Sequence, residues 1–197
     1  MKNKQIIKQV LDDHKRLKHV EVVYEWLKQR GINVADSPEE LMNLTQLDLS
    51  ECGLTELPNE FQYLRTRYLK LDGNNFGDGK KTLLPLCFMD NLAALGLSGC
   101  QLTSFPEQFK ILKQFYQLQL ENNQLTEFPR GVYELDYIDY LNICHNPIKF
   151  IPDDIIKNFK CDWLFIDSNE KQLSKKYRDK TKYIAIIQDL KTHVITL

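Results

Sequence analysis

The stretches FYQLQLENNQLTEFPRGVYELDY at 115–137 and IDYLNICHNPIKFIPDDIIKNFK at 138–160 are each 23 residues long and follow one another without a break. Phe115, Leu118, Leu120, Asn123, Leu125, Phe128, Pro129 and Val132 recur 23 residues later as Ile138, Leu141, Ile143, Asn146, Ile148, Ile151, Pro152 and Ile155. Of the nine aligned positions only Leu135, matched by Asn158, loses its character. A fixed period of this length marks stacked coils, none of which can bury its apolar face alone.

Working outward, further units begin at Leu44, Thr66, Leu92 and Cys161, giving spacings of 22, 26, 23, 23 and 23. In each, the fourth and sixth positions are apolar, as in Leu47 and Leu49, Leu69 and Leu71, or Leu164 and Ile166. Their alternation with polar neighbours is that of a short strand with one buried face. The ninth position reads Cys52, Asn74, Cys100, Asn123, Asn146, Asn169. A side chain turned inward at a strand end must satisfy backbone groups, as Asn does, or be small and tolerant, as Cys is. Asn123→Ala is accordingly expected to cost about 1–3 kcal/mol, through unsatisfied buried groups.

These columns resemble the leucine-rich repeat family, whose pattern LxxLxLxx(N/C)xL five units meet. The nearest subclass has 23 residues and continues LPxx(F/I)xxL, here Leu57-Pro58 with Phe61 and Leu64, and Phe105-Pro106 with Phe109 and Leu112. The resemblance covers 32–170. It implies an α/β fold: a curved right-handed solenoid with a parallel sheet on its concave side and short helices or turns on the convex side. In the 26-residue unit, Gly77–Lys81 is expected to swell the convex turn. Lys171 stands where a core Leu belongs, so the solenoid ends there.

Two helical caps are expected to close the solenoid. Residues 1–31 carry Ile6, Ile7, Val10, Leu11, Leu17, Val20, Tyr24 and Leu27 near one helical face, either as one helix or divided at Asp12-Asp13, with Gly31 as the stop. Ser37, Pro38 and Glu40 give a helix start inside the first partial coil. Residues 171–197 carry Tyr177, Ile184, Ile187 and Leu190 close to helical spacing, the C-terminal cap.

The chain has 27 acidic and 26 basic residues among 197, so no whole-chain field draws in nucleic acid or an anionic membrane. Charges interrupt every apolar run of the first twenty residues, and no stretch approaches a membrane span of about 20 apolar residues. A cytoplasmic location is the expectation. Five cysteines, an odd number without a CxxC pair, read as free thiols.

No motif carries chemistry. Asp72 to Asp78 begins like a calcium loop, but Phe76 and Leu83 replace required ligands. Gly79-Lys80-Lys81-Thr82 lacks the leading Gly and the Ser or Thr after Lys of a phosphate loop. Cys144 and His145 are neighbours, which point to opposite faces on a strand, so an incidental exposed thiol is the better reading. The histidines have no ligand spacing. The reading is of a chain that is not an enzyme and has no cofactor or metal.

The concave surface remains. Positions three, five and seven of each coil face it, placing Tyr140, Trp163 and Phe165 side by side while the coil of Ala94, Gly96 and Ser98 is bare. Such aromatics need either a covering cap or a partner. With the family's usual role, they point to protein or peptide binding, with Tyr68, Tyr116, Tyr140, Trp163 and Phe165 as anchors beside Lys70 and Asn142. Asp48, Asp72, Glu121 and Asp167 favour a basic partner. A monomer is expected. The alternatives are a target-recognition subunit whose catalytic part lies on another chain, and a self-associating structural module.

Overall fold

The computed structural model describes residues 2–112, 115–149, 159–167, 183–188 and 191–196. Helix α1 spans Lys2–Lys28 without interruption at Asp12-Asp13, and Gly31 follows with φ 73°. Its second half packs inward through Val20, Val23 and Leu27. Val10 and Leu11, expected on that buried face, are exposed at 60% and 55%, because the first half of the helix runs past the core it covers. Helix α2, Pro38–Asn43, starts as expected: Ser37 Oγ accepts from Glu40 N at 3.2 Å. The Glu40 carboxylate accepts in turn from Asp36 N at 2.6 Å.

Six repeat strands follow: β1 Gln46–Asp48, β2 Tyr68–Lys70, β3 Ala94–Gly96, β4 Gln117–Gln119, β5 Ile138–Asn142 and β6 Cys161–Asp167. Each pairs in parallel with the next, and the register stacks Leu47, Leu69, Leu95, Leu118, Leu141 and Leu164 in one row. All six are at most 3% exposed, as are Leu49, Leu71, Leu97, Leu120, Ile143 and Ile166 two residues on. These two rows are the spine of the core. Opposite the sheet run short helical turns, Asn59–Tyr63, Leu84–Phe88 and Glu107–Ile111, with the four-residue helices α3, Gly79–Thr82, and α4, Arg130–Tyr133. Phe61, Phe109 and Val132, fully buried, fasten them to the core. The extra residues of the second coil do enlarge its convex side: they form α3, and Asp78 bridges in parallel to Ser104 of the next coil.

The amide column closes each coil on the one before. Asn123 Oδ1 accepts from Cys100 N and Leu102 N, both at 2.9 Å, while Nδ2 donates to Leu97 O at 2.7 Å and Leu120 O at 3.0 Å. Asn74 and Asn146 repeat the pattern. Where Cys100 takes the position, its Sγ donates to Leu71 O at 3.1 Å. One residue earlier the chain turns through the left-handed region in five successive coils, at Glu51, Gly73, Gly99, Asn122 and His145 with φ between 56° and 70°. Asn169, Lys171, Asn158, Ile151, Pro152, Ile155 and Tyr177 lie outside the described residues.

The C-terminal helix is corrected. Tyr183–Gln188 is a strand, β7, parallel to β6, and Lys191–Thr196 is a strand, β8, antiparallel to β7. Both segments are rich in β-branched residues, which suit a pleated surface, and β6 otherwise presents an unpaired edge. The sheet thus has eight strands in sequence order. No described helix is long and apolar enough to cross a membrane.

Candidate functional site

The parallel register brings Tyr140 beside Trp163 and Asn142 beside Phe165 on neighbouring strands about 4.8 Å apart. Trp163 is 36% exposed, and Tyr140 and Phe165 are partly covered by one another, ring centroids 5.0 Å apart at 39°. Burial, then the charge of Glu121, pushes the Tyr140 hydroxyl up from its ordinary range, with Asn142 and Gln119 hydrogen-bonding it in opposition. Glu121 is half-buried, and its Oε2 is enclosed without a hydrogen-bond partner. Asp167 closes β6 opposite Ile187 of β7, so the aromatic strands lie inside the sheet rather than at its edge.

The other half of the face is polar and internally paired. Lys70 Nζ stands 3.9 Å from Asp48 Oδ2. Asp48 is held below the usual carboxylate range by hydrogen bonds from the Ser50 hydroxyl and backbone N–H, then by Lys70. Asp72 Oδ1 accepts from Ser98 N at 2.7 Å, and a Cβ on Gly96 would meet its Oδ2 at 2.8 Å. The bare third coil is therefore the seat of the Asp72 carboxylate, and Ala94 and Gly96 are buried rather than open. Tyr68, 38% exposed, lies 5.9 Å from the Arg67 guanidinium, and its hydroxyl hydrogen-bonds that of Tyr116, raising the Tyr116 pKa. Tyr116 sits just before β4, at the rim rather than on the strand.

Cys144, expected as an exposed thiol, is 1% exposed. His145 is a turn residue with φ 57°. Burial pushes the thiols of Cys87 and Cys161 up to about 12 and that of Cys100 to about 11, which suppresses the nucleophilic thiolate. Among the described residues no three His, Cys, Asp or Glu side chains are grouped to hold a metal.

Sequence reasoning passed over a second feature. A cleft of about 380 Å³ opens at the N-terminal rim between the fourth and fifth coils, lined by Lys110, Leu112, Phe115, Tyr116, Glu134, Asp136, Tyr137 and Asp139. Its advance signal was Tyr116, named from the sequence as an anchor; Asp139 and Asp162, which share its position one residue before the alternating strand positions, were passed over.

Parallel coils closed by an Asn/Cys column define a repeat solenoid. The Leucine Rich Repeat family model matches residues 43–64, one coil of the set, and the geometry of the other coils repeats it. The architecture is that of a leucine-rich repeat solenoid, and the family match itself is to that one coil. No curated protein matches the chain. Among 28 matching solved chains is a leucine-rich repeat protein of Leptospira interrogans, with 18% identity and a TM-score of 0.43 over 74% of this chain. The match covers 49% of that protein's length, so the chain spans about half of it.

Proposed function

We propose that this chain is a non-enzymatic interaction module of the 23-residue leucine-rich repeat subclass, holding a protein or peptide on its concave face. The observation that carries the reading is the Tyr140, Trp163 and Phe165 group, exposed to different degrees on adjacent strands inside a continuous sheet. Aromatic anchors of this kind supply most of the affinity of a recognition surface, and a charged rim sets steering. Asp48, Lys70 and Asp72 engage Ser50, one another or Ser98, so they shape the face more than they seek a counter-charge. The preference for a basic partner falls to the C-terminal half, where the half-buried Glu121 enters no ion pair among the described residues.

The test is Trp163→Ala with Phe165→Ala, read by partner capture and by thermal melting. Loss of capture with the melting temperature retained is expected. Unchanged capture removes the patch as the docking site, and a collapse in melting temperature assigns it to the core.

A further inference from the structure

The rim cleft follows from the same register that forms the concave face. Pairing of Ile138 with Cys161 sets Asp139 beside Asp162, and pairing of Gln117 with Tyr140 sets Tyr116 beside Asp139. Phe115 and Leu112, 3% and 9% exposed, make an apolar floor, and Tyr137, 43% exposed, stands as a wall. The one described base lining the cleft is already engaged: Lys110 Nζ donates to Glu134 Oε2 at 2.7 Å. Asp136, Asp139 and Asp162 enter none of the ion pairs among the described residues. The Tyr137 hydroxyl is pushed up first by its hydrogen bond to Asp162, then by burial and by the charges of Asp162 and Asp139. Asp136 and Asp139 in the lining, with Asp162 beside them, thus stand around an exposed aromatic ring with no ion-pair partner among the described residues, the lining Lys110 being taken by Glu134.

We infer that this cleft accepts an arginine side chain from a basic segment of the protein docked on the concave face, an assignment that rests on the reading above. A guanidinium is planar, stacks on a tyrosine face and donates in a fork to carboxylates, so it uses both wall and rim. Its three-methylene stem lies on Leu112 and Phe115. At about 380 Å³ the cleft is at the small end of the ligand-pocket range of about 300–1,000 Å³, suited to one side chain. Lysine, a compact and strongly hydrated ammonium, makes less of the same surfaces.

The experiment is fluorescence anisotropy with a labelled peptide of alternating arginine and glycine, and with its lysine counterpart. The full chain is titrated as wild type, as Asp136→Asn with Asp139→Asn, as Tyr137→Ala, and as Trp163→Ala with Phe165→Ala. Wild type is expected to bind the arginine peptide more tightly than the lysine one. Loss of the two carboxylates weakens binding about tenfold, Tyr137→Ala weakens it, and the concave variant leaves it unchanged. Affinity falls as salt rises. Failure of wild type to bind, or equal binding by the carboxylate variant, overturns the cleft. Loss confined to the concave variant discards the cleft and leaves the concave reading standing.

Discussion

Asn123→Ala removes the amide that closes the fourth coil onto the third. Asn123 is 6% exposed, and the N–H groups of Cys100 and Leu102 both point at its Oδ1 at 2.9 Å. Neither finds a backbone acceptor elsewhere among the described turn and loop hydrogen bonds. A buried group left unpaired costs about 1–3 kcal/mol, so two orphaned donors put the loss at roughly 2–5 kcal/mol, with about 3 kcal/mol as the working value. This is above the figure expected from the column alone, because the structure gives the amide two donors to satisfy. It equals a fall in melting temperature of about 6–12 °C for a chain of this size. Urea unfolding followed by circular dichroism should show a lower midpoint with unchanged slope. Asn123→Cys should lose less, since Cys100 fills the equivalent position through one sulfur donor at 3.1 Å. Gln119→Ala, between the spine residues Leu118 and Leu120 but on the open face, should change stability by no more than about 0.5 kcal/mol. Equal losses for Asn123→Ala and Gln119→Ala would refute the reasoning.

Other perturbations probe independent parts of the fold. Gly131→Ala places a Cβ 2.2 Å from Pro106 O, backbone that cannot swing aside, and should lower stability by about 2–3 kcal/mol in the same assay. Glu51→Gly relieves a left-handed residue at φ 56°; the relief of about 1–2 kcal/mol exceeds the added chain entropy of about 0.5–1 kcal/mol, so the midpoint should rise slightly. Thr66→Val removes a fully buried hydroxyl with no hydrogen-bond partner and should stabilise by about 1 kcal/mol. In the native state a thiol reagent near neutral pH should modify Cys52, the half-buried one, well before the other four, and all five in denaturant. The raised folded pKa values of Cys87, Cys100 and Cys161 leave the unfolded chain with fewer bound protons once pH passes about 9. Stability should therefore be fully present below that pH and fall as pH rises toward 11–12.

The spine and the amide column were legible because a buried strand face repeats every second residue and a coil every 23 or so, and both periods survive in Leu118, Leu120 and Asn123. The C-terminal cap was misread because Ile184 and Ile187 fit a helical stripe as well as a strand in so short a segment; the edge left by β6 decided for strands. Val10 and Leu11 have the right phase for burial, yet phase says nothing about how far a helix extends past its support. Gly73, Gly99 and Asn122 hinted at the left-handed column, whereas Glu51 and His145 carry no such mark. The Asp72 and Gly96 pairing is a contact between coils, visible only once the register is known. The aromatic row was found from the alternation alone, while the rim cleft, built by residues just before the strands, fell outside it.

Hydrogen exchange of the strand-end amides tests the stacking most directly. Leu71 N donates to Gly96 O at 2.9 Å, Leu97 N to Gln119 O at 2.9 Å and Leu120 N to Asn142 O at 2.7 Å, each joining one coil to the next. These three amides should exchange only through global unfolding, with the same free energy as the urea transition. Exchange as fast as that of exposed loop amides such as Glu56 would contradict the stacked parallel coils and, with them, the concave face and its rim.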